Sequence, residues 1–295
     1  MNNKTILVLG ATGSIGRDLV TLLSRKYKIV ALSRNKNFLK KIRSNKIKTI
    51  HHNLKDRIKQ NIKADILINC IVTHPISKKK NLSDYIDSNI ISPCNMIDFA
   101  RKKGAKLIIN LSSMTVYGKP KAKVINENAP FTYPDFLGIT KIFAEQVLEM
   151  QKIKFINLRL PGVLCSNFDK QRPWLNEIIY KIKKNKAINL YNPNSNFNNL
   201  ISSFEIYRLI CHLIDRNTYQ KGNYNFSATK PIKLIHLIEK IKEFYKSKST
   251  IKKIKVSKNS FQISTKKIEK KINFRAESTL SILQKYLKLI EIKAY

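Results

Sequence analysis

The chain has 295 residues, 43% of them apolar, enough for a large core built as one composite unit or as two closely joined lobes. Lys and Arg outnumber Asp and Glu by 57 to 19, a formal charge of +38, yet no stretch approaches the roughly 20 apolar residues that would span a bilayer. Cys70, Cys94, Cys165 and Cys211 are scattered with no CxxC pair, and the adjacent His51 and His52 would point to opposite faces of a strand. Composition therefore argues against a disulfide framework or a metal site, and for the reduced thiols of a cytoplasmic protein.

In chain order, 5–9 (TILVL) reads as a first strand rather than a signal peptide, because its apolar run passes directly into a glycine turn. Ile15, Leu19, Leu22 and Leu23 then recur at helical spacing. Further strands are predicted at 28–32, 48–52 and 64–69, a long helix at 82–103 stopped by Gly104, and a fifth strand at 105–111. A helix at 136–151 and a strand at 155–160 follow. Beyond Pro161 the pattern is less regular, with short helices at 175–183, 204–214, 235–245 and 280–290. The alternation predicts an α/β fold, a Rossmann-like doubly wound parallel sheet over 1–160. A smaller C-terminal α/β substrate lobe is expected over 161–295, with some chain returning to the main sheet.

Gly10-Ala11-Thr12-Gly13-Ser14-Ile15-Gly16 follows a strand and opens a helix. The first glycine permits a tight turn, the second lets backbone approach a pyrophosphate, and the third lets helix and strand pack closely. The free N–H groups of the helix N-terminus then favour the phosphates. The end of the second strand, Ser33-Arg34, carries no acid for a ribose 2′-hydroxyl, and a basic residue there suits a 2′-phosphate. NADP is favoured over NAD.

With these residues in place, the chain resembles the extended short-chain dehydrogenase/reductases, the NAD-dependent epimerase/dehydratase family. GATGSIG at 10–16, Ile68-Asn69-Cys70 with Asn89 in the following helix, and the SSxxVYG segment at 112–118 are each similar to family motifs. So are Leu158–Val163 (LRLPGV) and Tyr224-Asn225-Phe226, so that the resemblance covers almost the whole chain. It implies cofactor contacts from Gly10, Thr12, Gly13, Ser14, Ile15, Gly16, Ser33, Arg34, Asn53, Cys70, Asn89, Lys141, Pro161 and Val163. It also implies Ser113 as the group that polarises the substrate oxygen and Lys141 as the lysine that holds the ribose and lowers the pKa of a tyrosine four residues earlier. That position is Leu137, which cannot transfer a proton. Lys141 itself or Tyr133, in the preceding loop, could take over, although Pro134 argues against a helix reaching back to Tyr133.

A second departure is the arginine that grips the diphosphate in relatives acting on nucleotide sugars. Asn198 or Asn199 stands in its place, and Lys183, Lys184 and Lys186 lie nearby in sequence as alternative point charges or as solvated surface. The expected function is that of an NAD(P)-dependent epimerase, dehydratase or reductase of sugar nucleotides with an atypical active site, as a possible homodimer. The alternative is a non-catalytic NAD(P)-binding sensor or complex subunit. The charge reads as lysine-rich drift with no specific nucleic-acid partner, since no helix-turn-helix or RNA-binding motif accompanies it.

Overall fold

A computed structural model describes residues 4–53, 55–73, 81–169, 173–217, 219–256 and 260–292. The chain opens with β1 (Thr5–Leu9), α1 (Ser14–Leu23), β2 (Lys28–Ser33), α2 (Lys36–Ile42), β3 (Ile47–His51) and β4 (Ile66–Asn69). α3 (Leu82–Ile86) runs through one π-helical turn, Asp87–Ile91, into α4 (Ser92–Lys102), so the helix expected at 82–103 is three joined segments. Next come β5 (Leu107–Ser113), a 3-10 turn at Met114–Tyr117, β6 (Val124–Ile125), α5 (Phe136–Glu149) and β7 (Phe155–Leu160).

The later elements are β8 (Gly162–Leu164), α6 (Trp174–Lys183), β9 (Ile188–Tyr191), β10 (Asn196–Phe197), β11 (Leu200–Ser202), α7 (Ser203–Arg216), β12 (Gly222–Asn225) and β13 (Ile232–Lys233). α8 (Leu234–Phe244), β14 (Ile251–Ile254), β15 (Gln262–Ile263), α9 (Lys266–Ile272) and α10 (Thr279–Ile292) complete the chain. None of the described helices is long and apolar enough to cross a membrane.

The chain forms two compact units. The first comprises 1–119, 130–159 and 206–224 and carries a seven-stranded sheet in the order β12-β7-β5-β4-β1-β2-β3. β1 pairs in parallel with β2 and with β4, so winding reverses at β1, the switch point of a doubly wound sheet. These strands are nearly continuous apolar runs because both faces are covered: Ile6, Leu7, Val8, Ile66, Leu67, Ile68, Leu107, Ile108 and Ile109 are all buried. α1 and α4 bury Leu19, Leu23, Met96 and Ala100.

The second unit comprises 120–129, 160–205 and 225–295. It holds small paired strands, β8 with β11, β9 with β14, β6 with β15 and the antiparallel pair β10 with β13, beside α6, α8, α9 and α10. Its short strands are held by side chains as much as by ladders. Asn198 donates to the Ala228 and Ile263 carbonyls at 3.0 and 2.8 Å and accepts from Ile263 N–H at 2.9 Å. Turns throughout the chain place Asn185, Asn192, Asn217, Lys230, Lys246 and Asn273 in the left-handed region, where glycine is the usual residue.

Candidate cofactor and active site

The glycine turn is built as its spacing predicts. Gly10 has φ +75, and a Cβ on it would stand 3.0 Å from the backbone of Cys70 and Ile71, so β1 leaves the sheet hard against the end of β4. A Cβ on Gly16 would stand 2.2 Å from the Gly10 carbonyl oxygen, a contact that only glycine allows. Gly13 caps α1 with no side-chain hydrogen bond, so the first-turn N–H groups of Ser14, Ile15 and Gly16 have no intrahelical partner at a helix end where Gly13 and Ser14 are exposed and Gly16 is buried. A Cβ on Gly13 would meet nothing closer than 3.4 Å, so its smallness serves whatever approaches from outside.

Beside the turn, Thr12 and Ser33 share a 2.7 Å hydroxyl hydrogen bond, and Asn35 N–H donates to Ser33 Oγ at 3.2 Å. Ser33 is buried; Arg34 is exposed. Arg17 stacks 4.2 Å over the Phe38 ring and donates to the Thr12 carbonyl at 3.4 Å, leaving its buried Nε without a partner among the described residues. A cavity of about 200 Å³ is lined by Arg34, Asn53 and Lys55 together with Ile71, Thr73 and the carboxylates Asp84 and Asp87.

Asn89 projects from the π-helical turn and is buried. It accepts from Thr73 N–H at 2.9 Å and donates to the Thr73 carbonyl and to Thr140 Oγ1 at 3.3 and 3.2 Å. Thr140 in turn donates to the Leu137 carbonyl at 2.9 Å. The extra residue of the π turn re-aims Asn89 between the end of β4 and α5.

At the end of β5, Ser113 begins the 3-10 turn. Its Oγ accepts from Thr115 N–H and Thr115 Oγ1 at 3.2 and 2.9 Å. α5 packs onto this turn because Gly138 has no Cβ: one would stand 2.4 Å from the Thr115 carbonyl oxygen. Asp135 caps α5 through its 2.8 Å bond from Gly138 N–H. Lys141, one turn beyond Leu137, is buried and donates from Nζ to the Leu111 and Ile71 carbonyls at 2.9 and 3.3 Å. Burial pulls its pKa down to about 8, against the opposing influence of Cys70 and Glu145. Burial pushes the Cys70 thiol up to about 12, with Lys141 acting the other way, so the thiol stays protonated.

Neither Tyr133 nor Tyr117 stands in for the missing phenol. Leu137 is 4% exposed, whereas Tyr133 is 83% exposed at φ +48, outside the helix, as Pro134 led us to expect. Tyr117 is fully buried, and its oxygen accepts a 2.8 Å hydrogen bond from Arg159. Arg159 forms a buried ion pair with Glu145 at 2.7 Å, and Ser112 donates to the same carboxylate. This pair ties α5 to β5 and β7 and sets the height of Lys141 over the strand ends. Sequence reasoning picked out Ser113, Leu137, Lys141 and Asn89. It missed Thr73, Thr140 and Arg17, whose signals, a hydroxyl beside a motif residue and an arginine just past the third glycine, are weak alone.

Pro161 and Val163 lie in the second unit, where Val163 is in register with Ile201. In that unit Asn198 is committed to backbone, while Asn199 Oδ1 is buried with no partner among the described residues. Lys183 is paired with Glu291 at 2.6 Å.

The profile of the NAD dependent epimerase/dehydratase family matches residues 6–226. An uncharacterized protein, MJ1055, of Methanocaldococcus jannaschii is 24% identical over 84% of this chain and 83% of its own. Among solved structures, the enzyme WbmG of Bordetella bronchiseptica in complex with NAD and UDP superposes with a TM-score of 0.84 at 14% identity, covering 99% of this chain and 96% of that one. The UDP-N-acetylglucosamine 4-epimerase of Methanobrevibacter ruminantium M1, in complex with UDP-N-acetylmuramic acid, has a TM-score of 0.82 at 18% identity and covers 100% of both chains.

Proposed function

We propose, starting from the fact that the chain belongs to the NAD dependent epimerase/dehydratase family, that it binds NAD or NADP on its first unit and modifies a nucleotide sugar without a catalytic tyrosine. The observation that carries this reading is the complete frame around Leu137: Ser113 with Thr115 on one side, Lys141 one turn along, Asn89 locked beneath, and a glycine turn with free helix N–H groups.

In this reading Ser14, Ile15 and Gly16 N–H groups take the pyrophosphate, Asn53 and Arg34 the adenosine end, and Lys141 the nicotinamide ribose. Cys70 forms a wall of the site on the same unit. The cofactor supplies a hydride acceptor or donor. Ser113 orients the reacting oxygen, and Lys141, poised at about pH 8, is the titratable group nearest the place of the phenol along α5. NADP is preferred, because Arg34 is exposed beside Ser33 and the end of β2 itself carries no acid for a 2′-hydroxyl.

The nucleotide-sugar assignment draws on the two solved relatives, whose complexes hold UDP and UDP-N-acetylmuramic acid. The unpartnered Asn199 Oδ1 is suited to accept from such a ligand. Phe136, Ile139 and Phe143, exposed at helical spacing on α5, support a homodimer through this helix. Sedimentation of Phe143→Glu should then show monomers. Four free cysteines fit a cytoplasmic location.

The second reading, binding without catalysis, is favoured by Leu137 itself. Turnover of a nucleotide-sugar panel by wild type and Leu137→Tyr separates the two. General acid–base catalysis contributes about 100- to 10,000-fold, so Leu137→Tyr should be faster by that order if the frame is intact. A wild type that binds cofactor and sugar but never transfers a hydride, even with tyrosine restored, establishes the binding protein. An active wild type slowed by Leu137→Tyr would show that leucine serves a different working mechanism.

A further inference from the structure

Four asparagines stand on four adjacent strands of the central sheet: Asn69 on β4, its register partner Asn110 on β5, Asn157 on β7 and Asn223 on β12. Their side chains join in a single direction. Asn69 Nδ2 donates to Asn110 Oδ1 at 2.9 Å, Asn110 to Asn157 at 2.8 Å, and Asn157 to Asn223 at 2.8 Å. The row ends on a carboxylate, Asn223 Nδ2 donating to Glu149 Oε1 at 2.6 Å. At the other end Ile71 N–H donates to Asn69 Oδ1 at 3.1 Å.

Packing alone does not call for amides here. Asn69, Asn110 and Asn157 are at most 1% exposed, among isoleucines and leucines of the same strands, and a buried amide is costly unless paired. Both ends also fix the direction. A backbone N–H can only donate, and a carboxylate can only accept. Turning every amide round would set two donors together at Ile71 and a carbonyl against the carboxylate at Glu149. Hydrogen bonds in such a chain polarise one another, so the row behaves as one unit.

The two peptide groups that flank the Ile71 Cα touch Lys141 on one side and the glycine turn on the other. The Ile71 carbonyl accepts from Lys141 Nζ at 3.3 Å, and Ile71 N lies 3.0 Å from the place of a Cβ on Gly10. We propose that Asn69, Asn110, Asn157 and Asn223 form one positioning element, anchored on Glu149, that fixes the backbone at Ile71 through its N–H and, through the adjoining Ile71 carbonyl, Lys141, as well as the bed of the glycine turn. The functional half rests on the reading above, in which Lys141 faces the bound cofactor; the structural half does not. The charged or titratable neighbours of Lys141 are Cys70, at the end of β4, and Glu145, on α5.

The test uses the full chain and two readouts. Glu149 is exposed, so Glu149→Lys and Glu149→Gln should both fold. The lysine opposes a donor to a donor, whereas glutamine still offers an acceptor. Asn110→Leu interrupts the row inside the sheet. Amide exchange of the free protein should be faster at Ile71 by about tenfold or more in Glu149→Lys and Asn110→Leu, near wild type in Glu149→Gln, and unchanged across β1 and β2. An unchanged Ile71, or acceleration spread evenly over the sheet, overturns the positioning element.

The second readout is NAD affinity against pH. With the Ile71 carbonyl loosened, the Lys141 ammonium loses an acceptor, so the midpoint should fall in Glu149→Lys and return in Glu149→Gln. An unmoved midpoint overturns the link to Lys141. Absence of NAD binding in the wild type overturns the functional half alone, because Ile71 exchange still decides the row.

Discussion

The glycine turn and the Leu137 corner lie in the same unit, at the ends of β1 and β5 on either side of β4, and they differ in what has been replaced. At the turn every position is of the type its geometry demands, and a Cβ at Gly16 would collide with backbone. At the corner the supports are present, with Gly138 admitting α5, Asp135 capping it and Lys141 fastened to two carbonyls, while the residue that would carry the proton is a buried leucine. A steric requirement cannot be relaxed without moving backbone. A chemical one can be dropped while the frame stays, because Leu137 fills its place without disturbing its neighbours.

That contrast can be broken at each end. Gly16→Ala should cost about 3 kcal/mol of stability, seen in thermal unfolding, because neither wall of the contact can yield. Gly13→Val should leave the melting temperature where it is, since its own Cβ position is open. It should weaken cofactor binding on the order of 100-fold in calorimetry, through loss of charge-assisted N–H contacts. If Gly13→Val binds normally, the turn is not a phosphate site.

At the corner, Lys141 holds a pKa of about 8 in the folded chain against about 10.4 unfolded. Between these values the unfolded state binds more protons, so stability should rise as pH goes from 8 to 10; Lys141→Met should flatten that slope. Cofactor affinity should move the other way, falling as pH rises through about 8 and the ammonium loses its charge, and calorimetry at pH 6.5 and 9 would show it. The smallest effect is expected at Arg34. Arg34→Ala should erase an NADP preference of about tenfold, the scale of one charge-assisted contact; equal affinities in the wild type would remove that assignment.

Much of the first unit was legible in the sequence, because its signals are local. A five-residue apolar run, three glycines at fixed spacing and SSMTVYG each report on their own surroundings. The strands of two or three residues in the second unit were not legible, since a run that short has no period to detect. α2 and α9 escaped for a related reason: KNFLKKI and KKIEKKI bury one and two side chains. The asparagine row was beyond reach for another reason. Its members are 41, 47 and 66 residues apart along the chain, and only the strand order brings them side by side. The corner was half visible: the family resemblance picked out Leu137 and Lys141, but not the Glu145–Arg159 pair that holds their helix.

The left-handed turns carry a consequence for engineering. With eight glycines in 295 residues, this protein closes α9 on Asn273 and turns at Lys230 and Lys246, where a side chain crowds its own carbonyl. The strain at such a residue is about 1 kcal/mol, less for asparagine than for lysine. Lys230→Gly and Lys246→Gly touch neither the cleft nor the core, so together they are an untapped reserve of heat tolerance. A thermotolerant background of that kind would offset much of the loss in Gly16→Ala and let that variant's cofactor affinity be measured on a folded protein.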